Sequence, residues 1–238
     1  MAELQIERHG RVAVITLQRP EHGNRLTARL AREVVTALAA ARHDRDIGAC
    51  VLTGAGEVFC LGGDWRGAGS TAAGREDYAQ ALVEMDSAMA QLGKPLIAAV
   101  NGDAHAGGFA TALACDLAIV ADDATLGLPE AANGLFPFIA LAIVKDVLPK
   151  AVLFDLIYRA RLMTAAEACA ARIVSETVPR ATVVERAIEI AEQAAAHRPE
   201  IVALGRDLYY RLRGVPATEA LEDARQTLLV ALASAERS

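Results

Sequence analysis

Short apolar runs alternate with glycine-containing turns along the first half of the chain. Short runs rich in Val, Ile and Leu, bounded by turn residues, are typical of β-strands. The first two runs flank the turn His9-Gly10-Arg11 and predict a β-hairpin. The predicted strands cover residues 4–8, 12–17, 50–53, 58–60, 95–100 and 116–121.

Apolar residues at helical spacing fill much of the remaining sequence. Thr27 is the expected N-cap of a first helix that runs to residue 41, because a threonine oxygen can accept from the free amides of a helix start. Strands and helices alternate first, and helices then dominate, which predicts an α/β core over residues 1–180 and a helical C-terminal region over 181–238. The other predicted helices cover residues 76–92, 140–147, 150–159, 164–171, 181–197, 200–212 and 218–234.

Composition narrows the class of protein. The 238 residues are 53% hydrophobic but only 4% aromatic, which favours helices packed on buried strands over an aromatic-rich β-sandwich. The net charge is −6 and no dense cluster of Lys and Arg occurs, so we expect no nucleic-acid partner.

The four cysteines, at positions 50, 60, 115 and 169, are widely separated and form no C-x-x-C pair. No group of histidines has the spacing of metal ligands, so we predict no metal site. Unpaired thiols are typical of the cytoplasm. The polar N-terminal stretch does not resemble a signal peptide, and no apolar run approaches the roughly 20 residues that span a bilayer. We therefore expect a cytoplasmic protein with no membrane partner.

One stretch, GAGSTA at residues 67–72, matches the G-x-G-x-x-A pattern of dinucleotide-binding turns. Such a turn directly follows a strand and opens a helix. This one lies in a predicted loop, residues 65–74, so an unrelated nucleotide-binding protein is disfavoured. The chain also lacks the G-x-S-x-G pattern of serine hydrolases.

Two other glycine pairs come shortly after predicted strands, in FCLGGD at residues 59–64 and in HAGGFA at residues 105–110. Two such turns, side by side on one sheet, could direct two backbone N–H groups at one oxygen and form an oxyanion hole. From spacing alone, ordinary turn glycines remain the alternative.

Several motifs in one order resemble the crotonase (enoyl-CoA hydratase/isomerase) superfamily. They span nearly the whole chain: VAVITLQRP, NRL, the F-x-x-G-x-D of FCLGGD, KPLIAAVNG, AGG, ALACDLAI, LPEAANGLFP and TAAEA. The resemblance implies a spiral core of repeated ββα units, assembled as a homotrimer or a dimer of trimers. It also implies an acyl-CoA thioester substrate, so coenzyme A would enter with the substrate and no separate cofactor is expected.

The resemblance assigns roles to both glycine turns. By position, the N–H groups of Leu61 and Gly107 are expected to hold the thioester oxygen. Because enolisation of a thioester places negative charge on that oxygen, two rigid amides would stabilise it without reorganising. Gly62, Gly63 and Gly108 are expected to border the same substrate site.

The chain departs from the family pattern at one catalytic position. Hydratases of the family carry two glutamates, and one of these positions holds Ala110 here. The other is Glu130, within GLPEAANG. A single carboxyl group could move a proton between carbons but would orient water less well than a pair. A glutamate that only stabilises a helix N-terminus is the structural alternative for Glu130.

Further candidates are less specific. His105, beside the glycine pair, could replace the missing acid–base group, or could be a structural histidine. Arg25 is placed to meet coenzyme A phosphates, or is simply exposed. Asp64 is expected to fix the first glycine loop near the coenzyme A site. The side chains of residues 136–138 could line an acyl pocket or the core.

The residues together predict an acyl-CoA double-bond isomerase that uses Glu130 and an oxyanion hole. A 2-enoyl-CoA hydratase with a single glutamate, and an acyl-CoA decarboxylase or lyase, are alternatives within the same chemistry. Ala110 also leaves open a non-catalytic acyl-CoA-binding homologue.

Overall fold

A computed structural model describes residues 3–235 of the chain. Its strands and helices follow one another in an order close to the predicted one. The strands are β1 (Leu4–His9), β2 (Val12–Leu17), β3 (Ala49–Gly54), β4 (Val58–Cys60), β5 (Leu96–Val100), β6 (Asp103–His105), β7 (Leu117–Ala121), β8 (Thr125–Gly127), β9 (Leu162–Thr164) and β10 (Glu176–Val178). The helices are α1 (Ala28–His43), α2 (Ala72–Ala90), α3 (Gly107–Ala114), α4 (Phe138–Val144), α5 (Lys150–Arg159), α6 (Ala165–Ala170), α7 (Val183–Ala195), α8 (Pro199–Arg211) and α9 (Ala217–Ala235).

The strands form two sheets that share a repeating connection. One sheet has the order β1-β2-β3-β5-β7-β10, and the other has the order β4-β6-β8-β9. Each successive pair, β3–β4, β5–β6 and β7–β8, gives one strand to each sheet, and a helix follows before the next pair. Within both sheets these strands pair in parallel. The predicted α/β class and ββα spiral are therefore confirmed.

The larger sheet lies in the core. All residues of β3 and β5 are buried, as expected for parallel strands covered on both faces. Helix α7 packs on β2, β3, β5 and β7 through a stripe of small residues, Val183, Ala187, Ala191 and Ala195, which recur every four positions. The predicted boundary between residues 180 and 181 thus falls just before a helix that belongs to the same core.

Threonine caps begin three of the helices in the described residues, at Thr27, Thr71 and Thr164. The Thr27 hydroxyl accepts the Leu30 amide at 2.9 Å, which confirms the predicted cap of α1. The short strands β6 and β8 have no sequence signal, because three residues are too few to show alternation. Their pairing is reinforced by Asp103, whose carboxylate accepts both the amide and the hydroxyl of Thr125 at 2.8 Å.

An arginine on α8 joins the C-terminal helices to the core. The side chain of Arg206 is only 6% exposed and lies 2.8 Å from the Asp116 carboxylate. Its other nitrogens donate to the carbonyls of Met89 and Ala90 at the end of α2. Asp116 also accepts the Leu96 amide at 2.8 Å. These contacts give Asp116 a structural role and tie α2, α8 and the sheet together.

We predict that Arg206→Met lowers the free energy of unfolding by about 2–3 kcal/mol, since it leaves the Met89 and Ala90 carbonyls without their donor and removes the positive charge beside the Asp116 carboxylate. Urea denaturation followed by circular dichroism measures the change. Arg32→Met is the control, because Arg32 pairs with Asp77 at the surface and such pairs contribute under about 1 kcal/mol. Equal losses in both variants would contradict this account of the Arg206 cluster.

Candidate active site

Three connections meet at one edge of the smaller sheet. Strands β4, β6 and β8 are parallel neighbours in that sheet, so their carboxyl ends lie side by side. The FCLGGD turn follows β4, α3 begins after β6, and a short 3₁₀ helix, Pro129–Asn133, follows β8. Loops at the carboxyl ends of parallel strands are where α/β folds place their ligand sites. Gly63, Gly107 and Glu130 are thereby brought to a common edge.

The two glycine turns touch each other. A Cβ on Gly107 would lie 3.6 Å from the Gly63 nitrogen, and a Cβ on Gly62 would lie 3.2 Å from the Gly107 nitrogen. Within residues 3–235, neither the Gly63 amide nor the Gly107 amide donates a hydrogen bond. Two neighbouring unpartnered N–H groups form a site for one anionic or carbonyl oxygen.

Helix α3 strengthens one of these donors. Gly107 is its first residue, so the positive end of the helix dipole lies at this amide. The preceding residue, Ala106, has φ 54° and ψ −128°, a backbone conformation that is costly for a residue with a side chain. The surrounding structure holds it there, since the Ala106 amide donates to the Gly127 carbonyl at 2.8 Å.

The expectation for Leu61 is wrong. Its amide donates to the Gly23 carbonyl at 2.9 Å and is therefore already occupied. The donor two residues later, at Gly63, is the one beside Gly107. The reason is the chain path after β4, where Gly62 adopts φ 92° and turns the following amide toward α3.

The glycines of this region are required by close contacts. A Cβ on Gly108 would lie 2.0 Å from the Cys60 carbonyl oxygen, so α3 packs directly on the backbone of β4. A Cβ on Gly63 would lie 1.9 Å from the Tyr78 hydroxyl of α2. At Gly108 no larger residue could keep α3 this near β4, whereas a larger residue at Gly63 would require the Tyr78 side chain to shift.

Glu130 lies half-buried at the start of the 3₁₀ helix that follows β8. Its Oε2 atom is enclosed and has no hydrogen-bond partner within the described part of the chain. Burial raises the pKa of this carboxyl from 4.5 to about 7. A carboxyl group with this pKa can both accept and return a proton near neutral pH.

A narrow apolar cavity of about 50 Å³ begins beside Gly107. It lies between one face each of α2, α3 and α4, and Ala110 forms part of its wall. Residues 136–138 do not line it, and Phe138 is 73% exposed. The remaining wall consists of Leu26, Leu82, Met85, Asp86, Met89, Thr111, Ala114, Ile139, Ala140 and Ile143.

The other predicted site residues have structural contacts of their own. His105 Nε2 is 2.8 Å from the Thr125 hydroxyl, and burial lowers the histidine pKa. Asp64 pairs with Arg19 at 3.3 Å and accepts the Gly67 amide, so it fixes the first loop. Arg25 is exposed and donates to the Leu61 carbonyl at 2.7 Å.

Two features escaped the sequence prediction. The Gly63 donor could have been found only from the chain path after β4. Asp86, which lines the cavity, looked like any polar residue of an amphipathic helix. The GAGSTA stretch does not directly follow a strand, because β4 ends well before it, although its last residue opens α2 after a Thr71 cap. It therefore lacks the strand that precedes a dinucleotide-binding turn.

Comparison with known proteins decides the family. The sequence model described as Enoyl-CoA hydratase/isomerase matches residues 7–237. The chain belongs to this family. A carnitinyl-CoA dehydratase of Escherichia coli K12 is 32% identical over 228 residues, which cover 95% of this chain and 87% of that protein.

Solved structures of family proteins have the same fold. An enoyl-CoA hydratase from Bacillus anthracis is 30% identical, with a TM-score of 0.89 over 95% of this chain and 89% of that one. An enoyl-CoA hydratase from Mycobacterium smegmatis reaches a TM-score of 0.92 over 97% and 91% of the two chains. Its 24% identity supports the fold alone. The resemblance to the enoyl-CoA hydratase/isomerase family is confirmed.

We predict that Gly108→Ala lowers stability by more than 1 kcal/mol and reduces any activity of the site, because the added methyl group collides with the Cys60 carbonyl. Gly205→Ala in α8 is the control. Nothing lies within 4 Å of a Cβ there, so that variant should gain up to about 1 kcal/mol. Thermal unfolding of both variants gives the comparison, and an unchanged Gly108→Ala protein would contradict the described packing of α3.

Proposed function

We propose that this enzyme acts on acyl-CoA thioesters, with the Gly63 and Gly107 amides holding the thioester oxygen and Glu130 moving a proton. One observation carries the proposal: two unpartnered amides lie at the same sheet edge as an enclosed, unpartnered carboxyl. A polar group without a hydrogen-bond partner lowers the stability of a folded protein. A ligand that supplies the missing hydrogen-bond partners explains why these groups have none within the protein.

The proposed reaction is a double-bond shift. Ionised Glu130 takes a proton from the acyl chain, and the electron pair of that C–H bond delocalises onto the thioester oxygen as an enolate. The two amides stabilise this charge, and a single donor of this kind typically contributes about 10²–10³ in rate. The protonated Glu130 then returns the proton at another carbon, so the double bond moves and no other reactant is consumed.

Ala110 supports isomerisation over hydration. It places a methyl group in the cavity wall where hydratases of the family carry a second glutamate, so a water molecule there has one carboxyl fewer to orient it. Hydration is the second candidate, because the similar proteins include a carnitinyl-CoA dehydratase and enoyl-CoA hydratases. Glu130 would then be its sole acid–base group.

The coenzyme A part of the substrate is proposed to bind along the first turn, near Gly62 and Asp64, with the exposed Arg25 close enough to meet its phosphates. Coenzyme A thus enters with the substrate, and we propose no additional cofactor. His105 is already hydrogen-bonded to Thr125, so we assign it at most a supporting role.

We propose that the enzyme works in the cytoplasm as a trimer or a pair of trimers. In the described part of the chain, no helix is long and apolar enough to cross a bilayer, and all four cysteines are unpaired. Helix α9 packs chiefly on α8 and exposes large apolar side chains, which a second chain would cover. These side chains are Leu221, Leu228, Leu229, Val230 and Leu232. The share of the enzyme in cytoplasmic and membrane fractions checks the location.

We predict a molar mass of three or six chains by light scattering after gel filtration. Leu228→Glu combined with Leu232→Glu should dissociate this assembly, because both side chains are more than half exposed in the single chain. Glu219→Gln, on the same helix, is the control and should leave the assembly intact. A monomeric wild-type protein would contradict the proposed trimer.

We predict that a 3-enoyl-CoA is converted to its conjugated 2-isomer faster than the 2-enoyl-CoA of the same length is hydrated. The two reactions are followed by the gain and the loss of conjugated thioester absorbance. Faster loss than gain would favour hydration. Glu130→Gln should lower kcat/KM by about 10²–10⁴ in either assay.

The pKa of Glu130 predicts how the activity of the wild-type enzyme depends on pH. Since only ionised Glu130 accepts a proton, kcat/KM should rise with pH through about 7 and then level. Because folding raises the pKa of Glu130, the neutral carboxyl favours the folded state. This contribution to stability is complete below pH 4.5 and is lost as the pH rises through about 7. Glu130→Gln should therefore be at least as stable as the wild type at pH 8. A folded, fully active Glu130→Gln enzyme would refute the mechanism.

A further inference from the structure

The cavity beside Gly107 is apolar except at one point on α2. Its α3 wall runs from Gly107 to Ala114, a rise of seven residue steps and therefore roughly 10 Å. Thr111 in this wall has a hydroxyl, but that hydroxyl already donates to the Gly107 carbonyl at 2.8 Å. Asp86 is the charged residue among the lining side chains.

Asp86 differs from the neighbouring carboxylates of α2. Asp77 pairs with Arg32 at 2.6 Å, and Glu84 accepts a hydrogen bond from Gln80 at 3.1 Å. Asp86 forms no hydrogen bond or ion pair with any described residue. Burial raises its pKa, and the more distant positive charge of Arg213 opposes that shift.

A half-buried carboxylate that forms no hydrogen bond or ion pair within the protein lowers the stability of the fold. No hydrogen bond within the described residues offsets its partial desolvation, so the charged form of Asp86 depends on contact with water. An acyl chain entering from Gly107 would displace water from the cavity and raise this cost. A donor group on the acyl chain would remove it.

We propose that Asp86 selects acyl groups that carry a hydrogen-bond donor, a hydroxyl or an ammonium group, beyond the reacting carbons. The inference rests on the proposed function, because it assumes that the narrow cavity beside Gly107 widens between α2, α3 and α4 to receive the acyl chain. Ala110 contributes by leaving α3 without a competing carboxylate in the same wall. Sites that hydrogen-bond a substrate group reject analogues that lack it far more strongly than apolar pockets reject an extra methylene group.

Binding of unreactive saturated thioesters tests the proposal separately from catalysis. Hexanoyl-CoA, 6-hydroxyhexanoyl-CoA and 6-aminohexanoyl-CoA have the same chain length and differ in the terminal group. Their dissociation constants are measured by calorimetry for the wild type, Asp86→Leu, Asp86→Asn and the control Glu84→Gln. Glu84 lies on the same helix but does not line the cavity.

The wild type and Glu84→Gln should prefer at least one donor-bearing thioester over hexanoyl-CoA by about tenfold or more. Asp86→Leu should abolish or reverse that preference. Asp86→Asn distinguishes the two donors, since a neutral amide still accepts from a hydroxyl but loses its charge attraction for an ammonium group.

Three results would overturn the proposal. Equal affinities of the wild type for all three thioesters would show that Asp86 does not select. An equal change for all three in Asp86→Leu would show a general structural role. Absence of binding of any thioester would contradict the proposed function itself, whereas tight binding without preference would contradict only the role of Asp86.

Discussion

The contact on which the site depends is the packing of α3 directly against the backbone of β4. Gly108 allows it, because a single added carbon would lie 2.0 Å from the Cys60 carbonyl. This contact sets the distance between the two sheet-edge turns and so places the Gly63 and Gly107 amides together. The strained φ of Ala106 follows from it, since the chain must leave β6 and start a helix within one residue.

The edge of the smaller sheet that carries Gly63, Gly107 and Glu130 is stabilised by contacts in other parts of the molecule. Two amides and one carboxyl oxygen lack partners there, and each such group costs free energy when it is removed from water. The surrounding contacts are correspondingly complete: Asp103 holds β6 to β8 through Thr125, and Arg206 holds α2 and α8 to Asp116. Rigid support is what lets the unpartnered groups keep their positions before a substrate arrives.

The elements could be predicted from sequence where a repeating pattern or a cap was long enough to see. The β1–β2 hairpin, the Thr27 cap and α5 all have such signals. Strand β6 has only three residues and no pattern. The glycine turns and Glu130 could be identified by motif, but the choice between the Leu61 and Gly63 amides depends on backbone direction. Burial of Oε2 in Glu130, and the lack of a partner for Asp86, are properties of packing that no single sequence displays.

Two unpartnered carboxyl groups of this chain lie at separate places. Glu130 lies at the same sheet edge as the unpartnered Gly63 and Gly107 amides, Ala110 provides no charge on α3, and Asp86 lies on α2 in the wall of the cavity. A carboxyl near the reacting carbons can exchange protons with them. One in the cavity wall on another helix is placed, in our proposal, to contact a group further along the acyl chain. In the proposed function the two carboxyl groups therefore have separate tasks: Glu130 exchanges protons with the acyl chain, and Asp86 contacts a donor group that the chain carries.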